Sequence, residues 1–153
     1  MTQPFWSFLK TATSIICLIK KVPSPPGLIS SNFRCWIFSR EVFEKINLPQ
    51  EQKDELVLAI AEAAQNIVKH AYKGVEETNE KMQIKISFKD NQLEIGFFDK
   101  GKPVIPENIQ HRKLDDIKPG GLGTFFIKQI MDEAIFKKNQ KGWVNHLVLT
   151  KTI

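Results

Sequence analysis

A chain of 153 residues with 42% hydrophobic and 25% charged side chains has the apolar material for one packed domain and too little length for two. Its 22 Lys and Arg against 17 Asp and Glu leave a formal charge of +5, but the bases are dispersed, adjacent only at Lys20-Lys21, Arg112-Lys113 and Lys137-Lys138. That dispersal argues against a nucleic-acid groove, which needs a stripe of bases interleaved with exposed aromatics, and the apolar content excludes general disorder.

Phe5 to Ile19 is apolar, yet Lys10 interrupts it, no basic region precedes it and no small-residue cleavage site follows. It is also too short to span a bilayer. Residues 1–12 therefore read as an extension, residues 13–153 as the domain, and the protein as cytoplasmic. Cys17 and Cys35 lie among apolar residues, with no second Cys or His at metal-ligand spacing, and read as buried thiols of a reducing compartment. Ser14 to Val22 is rich in β-branched residues and predicts a first strand.

After the break at Pro23-Ser24-Pro25-Pro26-Gly27, rough helical spacing of Leu28, Phe33, Trp36, Ile37, Val42, Phe43 and Ile46 predicts a helix over 28–46. Pro49 closes that helix and opens the next, predicted over 49–72, with Gly74 as its cap. In this second helix Leu56, Ile60, Ala63, Ile67 and Ala71 recur at intervals of three and four, the mark of one buried face. Glu62, Asn66 and His70, spaced four apart, form a polar stripe beside it. One carboxylate and one carboxamide a turn apart suit a metal ion or proton transfer, and equally a solvated flank.

Met82, Ile84, Ile86 and Phe88 alternate with polar residues, Lys89-Asp90-Asn91-Gln92 turns, and Leu93, Ile95 and Phe97 alternate again, predicting an antiparallel hairpin. It runs into Phe98-Asp99-Lys100-Gly101-Lys102-Pro103, where a carboxylate at a strand's end is followed by a glycine that lets backbone approach a ligand, or makes a plain turn. Val104 to Pro119 has no period and reads as a lid-like loop. It leads through Gly120-Gly121-Leu122-Gly123-Thr124 into a helix predicted over 122–133, where Phe125, Phe126, Ile130 and Met131 resume helical spacing. A glycine-rich loop entering a helix presents backbone N–H groups and the positive dipole end to an anion, usually phosphate. Strands at Ala134–Lys138 and Trp143–Thr152, joined at 139–142, complete a terminal hairpin.

In order, Glu62-x-x-x-Asn66 on a helix, Asp99-x-Gly101 after a strand and Gly121-Leu122-Gly123 opening a helix resemble the nucleotide-binding boxes of the GHKL ATPases. The local wording of Leu58 to Tyr72, Asp99 to Pro103, Gly121 to Glu133 and the closing Asn145-His146-Leu147 resembles the anti-sigma-factor serine/threonine kinases. The resemblance implies an α+β two-layer sandwich, a mixed, mostly antiparallel sheet with helices on one face. It also implies ATP and Mg²⁺ as cofactors: Asn66 as metal ligand, Asp99 as acceptor for the adenine amino group, Gly101 giving close approach to the base, and Gly121, Leu122, Gly123 and Thr124 as phosphate cradle. Glu62 would be the general base for a Ser or Thr hydroxyl, on an anti-anti-sigma, STAS-type partner, with a sigma factor as second partner and a homodimer as the assembly. Arg112 and Lys113 in the loop are candidates for the γ-phosphate. Lys102 stands where many GHKL proteins have a second Gly, and residues 1–12 have no counterpart in the kinases. An ATP-binding interaction module without phosphotransfer is the alternative. The catalytic half of a histidine kinase is disfavoured, because none of His70, His111 and His146 precedes the Glu62 helix.

Overall fold

A computed structural model of the chain describes residues 13–18, 32–72, 80–103, 122–138 and 140–153. In chain order the elements are β1 (Thr13–Leu18), α1 (Asn32–Glu44), α2 (Gln50–Ala71), β2 (Lys81–Lys89), β3 (Gln92–Asp99), α3 (Leu122–Ile130), β4 (Glu133–Lys137) and β5 (Asn145–Thr152). The expected extension, the Pro-rich break, Gly74, the 104–119 loop with Arg112 and Lys113, and Gly121 lie outside the described residues.

The five strands form one sheet in the order β1-β2-β3-β5-β4. Every pairing among the described strands is antiparallel, so the expected α+β fold carries no parallel pair here. The β2–β3 hairpin turns at Asp90 and Asn91, both at positive φ (52° and 60°), as a two-residue hairpin turn demands and as Asp and Asn tolerate. Cross-strand pairs Ile84↔Phe97, Ile86↔Ile95 and Phe88↔Leu93 continue through Ile95↔Leu149 and Phe97↔Leu147, making one apolar face. The next pair on that face is Asp99↔Asn145.

Against this face lies α2, which buries Leu56, Val57, Ala59, Ile60, Ala63, Ala64 and Ile67. Pro49 is its N-cap, and the Pro49 carbonyl accepts the first helical bond from Lys53 N at 3.1 Å. α1 and α3 flank α2 and complete the helical layer. α1 ends early because Lys45 N and Ile46 N bond three residues back, to Val42 O and Phe43 O, tightening the last turn. Val42, Phe43 and Ile46 are buried as the spacing predicts, but Trp36 and Ile37 are exposed, with the Arg40 guanidinium 4.7 Å over the Trp36 ring.

α3 stops at Ile130 instead of continuing to 133. Lys151 Nζ donates to the Ile130 carbonyl at 2.6 Å, and Asp132 N bonds Thr150 O, which draws the chain into the sheet as β4. Ile127, Ile130 and Met131 are buried, whereas Phe125 is 54% exposed and meets Phe126 edge-on at 5.9 Å. On the sheet's other face Phe98 stacks on His146 (4.0 Å, 18°) and tilts against Trp143 at 6.1 Å. Burial lowers the His146 imidazole below 6.5, the nearby Lys137 and Lys85 charges adding to that and Glu94 opposing it.

Candidate functional site

The site begins where β3 ends. Strand alternation carries Asp99 to the helix-facing side, where it is only 2% exposed. Its Oδ1 accepts from Gly101 N at 2.8 Å and from Asn145 Nδ2 at 2.9 Å. The same Nδ2 donates to the Lys102 carbonyl at 2.9 Å. Val144 N bonds Asp99 O at 2.8 Å, so the backbone around the carboxylate is fixed too. Burial pushes the Asp99 carboxyl above its usual 3.8, and the bonds from Asn145 and Gly101 pull it back.

The turn after Asp99 is fastened to the end of α2. Lys102 N donates to Ala71 O at 2.8 Å, and Lys100 N to the Tyr72 hydroxyl at 3.1 Å. Tyr72 is buried, which pushes its phenol up to about 12 and keeps it neutral. A Cβ on Gly101 would stand 2.5 Å from Ala71 Cβ and 2.7 Å from Ala71 O. The missing side chain of Gly101 therefore admits the end of α2 at Ala71.

Glu62 and Asn66 lie half-buried on the flank of α2, and His70 is exposed. The backbone of Leu122, Gly123 and Thr124 forms the first turn of α3, which packs beside α2. Asp99, Gly101 and the α2 stripe are thus brought to one end and one flank of the same helix. Asn145 and Tyr72 were not legible as site residues. Their signals are membership in the stretches that carry the family resemblance, Leu58 to Tyr72 and Asn145-His146-Leu147, with the two-residue period that places Asn145 on the face of Leu147 and Leu149 and the position of Tyr72 just past a buried helix face.

Over residues 37–151 the chain matches the model of the histidine kinase-like ATPase domain. It belongs to that family. Membership makes ATP the ligand class of the domain, and the α+β sheet with helices on one face is the family's architecture. Among relatives of this histidine kinase-like ATPase domain, the serine-protein kinase RsbW of Bacillus pumilus (strain SAFR-032) is 28% identical over 107 residues, covering 64% of this chain and 65% of the relative. The serine-protein kinase RsbW of Staphylococcus aureus (strain MSSA476) is 32% identical over 107 residues, covering 63% and 65%. The chain thus spans just under two thirds of the length of these relatives. A chain from the SiaB–SiaC complex of Pseudomonas aeruginosa has the same fold, with TM-score 0.58 at 13% identity over 97% of this chain and 94% of that one. Among the described residues, no helix of the ATPase domain is long and apolar enough to cross a membrane.

Proposed function

We propose that this chain is an ATP-dependent anti-sigma regulator. It phosphorylates a Ser or Thr of an anti-anti-sigma, STAS-type partner, sequesters a sigma factor, and acts as a cytoplasmic homodimer. The observation that carries the reading is the order of groups along α2. At one end the Asp99 turn is pinned to Ala71 by Gly101 and Lys102. Asn66 lies five residues back, about 7.5 Å along the axis, and Glu62 four further, about 13.5 Å from Ala71 at 1.5 Å per residue. That is the sequence base, metal-bound phosphates, acceptor hydroxyl.

Each residue has a role its chemistry supports. Buried Asp99 accepts from the adenine amino group, and Leu122, Gly123 and Thr124, with Gly121 before them, offer N–H groups and a helix N-terminus to phosphates. Asn66 would hold Mg²⁺ through one neutral oxygen, since that ion keeps several waters and needs few protein ligands. Bound there, Mg²⁺ neutralises phosphate charge. Glu62 takes the proton of the incoming hydroxyl. The two relatives carry the name serine-protein kinase, and the neighbouring fold comes from a two-protein complex, which supports a protein substrate.

The test is Glu62→Gln, which keeps size and removes the base. Transfer of labelled phosphate from ATP to a STAS-type partner should fall by about 10²–10⁴-fold with ATP affinity little changed. Unchanged transfer demotes Glu62 to a helix-flank residue. A wild type that transfers nothing, yet binds a sigma factor only with ATP, establishes the interaction module without phosphotransfer instead.

A further inference from the structure

The Asp99 carboxylate is held in an asymmetric way. Among the described residues both of its side-chain hydrogen bonds, from Gly101 N and Asn145 Nδ2, fall on Oδ1. Asn145 is 5% exposed and sits directly opposite Asp99 in the β3–β5 register. Its amide nitrogen has two hydrogens and serves two acceptors, Asp99 Oδ1 and Lys102 O, each at 2.9 Å. One side chain therefore fixes both the rotamer of the carboxylate and the far end of the turn that follows it.

We propose that Asn145 is the positioning residue for Asp99, saturating Oδ1 so that Oδ2 alone meets the base, and that it thereby sets the preference for adenine over guanine. The inference rests on the reading of Asp99 as acceptor for the adenine amino group. Ionised, Oδ2 only accepts. Adenine presents a donor amino group where guanine presents a carbonyl oxygen, so a rigid acceptor welcomes one and opposes the other. A carboxylate free to rotate loses that discrimination. The charged and titratable groups around Asp99 leave its control to the Gly101 N–H and to Asn145: Tyr72 at the end of α2 is neutral with a phenol at about 12, and Lys100 and Lys102 on its own turn are exposed. Glu80 raises the Tyr72 phenol and is itself exposed.

The experiment titrates Mg-ATP and Mg-GTP calorimetrically into the full chain and its variants at about pH 6 and about pH 8, with circular dichroism to check folding. Asn145→Ala should weaken ATP about tenfold and GTP little, so the ATP-to-GTP ratio falls about tenfold. Asn145→Asp sets a second carboxylate against Oδ1. ATP affinity should be lost at the higher pH and recover at the lower, where the two carboxyls share a proton and a donor to Oδ1 returns. A purely structural role for Asn145 lowers both nucleotides alike and predicts no recovery in acid, and either result overturns the proposal. If Asn145→Ala does not fold, Asn145→Thr, strand-compatible with one hydroxyl for two acceptors, takes its place, and a ratio equal to wild type overturns the proposal. A folded wild type that binds no ATP fails the Asp99 reading itself, a separate outcome.

Discussion

Gly101→Ala probes the joint between the Asp99 turn and α2. The added Cβ would lie 2.5 Å from Ala71 Cβ, 2.7 Å from Ala71 O and 3.0 Å from Ala71 C, whereas ordinary contact begins at 3.4 Å. Two of those three atoms are helix backbone, so the turn must retreat by about 1 Å. The retreat lengthens the 2.8 Å bond from Lys102 N to Ala71 O. Overpacking costs about 1–3 kcal/mol, and a weakened backbone bond about 0.5–1.5 kcal/mol. The sum, roughly 1.5–4.5 kcal/mol, lowers Tm by about 3–18 °C at roughly 2–4 °C per kcal/mol for a domain of this size. Urea unfolding followed by circular dichroism measures it, with ATP titration alongside, because the turn carries Asp99. Ala71→Gly in the same chain removes the Cβ clash but neither backbone clash, and should restore only part of the loss. A Gly101→Ala chain with wild-type Tm and ATP affinity would refute the reasoning.

Asp99→Asn leaves an oxygen for Gly101 N and Asn145 Nδ2 and turns the other position into a donor, so ATP affinity should fall at least about tenfold. Because burial raises the Asp99 carboxyl above 3.8, the folded state disfavours its charge, and the stability it contributes in acid is lost as pH rises through its folded value. Asp99→Asn should then be at least as stable as wild type at neutral pH, checked by thermal melts, and lower stability there would contradict the assignment. For His146 the folded value is depressed, so its contribution is complete above 6.5 and lost as pH falls below it. His146→Gln, which does not titrate, should therefore lose less stability than wild type between about pH 7.5 and pH 5, read as the difference in urea midpoints.

What the sequence disclosed depended on how local each signal was. α2 is predicted over 49–72 and found over Gln50–Ala71, because Pro49 and a buried face at intervals of three and four are written within one segment. The β2–β3 turn is equally local: Asp90 and Asn91 suit positive φ, and alternation flanks them. For α1 the same reasoning fails at Trp36 and Ile37, since periodicity marks a face without saying how far along the helix a partner extends. Glu133, the last residue of the predicted longer helix, opens β4 instead, because Lys151 and Thr150, far along the chain, terminate α3. In the site, Glu62, Asn66 and Asp99 are legible through spacing and resemblance. Asn145 enters only within the closing Asn145-His146-Leu147 stretch and without a role, since its partner is 46 residues away and only strand pairing brings the two together.

The last of the five strands in chain order, β5, is an interior strand of the sheet, seated between β3 and the edge strand β4. During synthesis, β1, β2 and β3 are made first and leave an open edge at β3, and β4 follows with nothing yet to join it to them. Closure waits for residues 145–152, through pairings such as Asp99↔Asn145 that span dozens of residues, the kind of non-local contact that forms slowly. Until then the nascent chain exposes an unpaired β3 edge of the sort that chaperones shield. The same late strand brings Asn145 to Asp99, so a nucleotide that engages that carboxylate would select chains whose translation has passed the last turn.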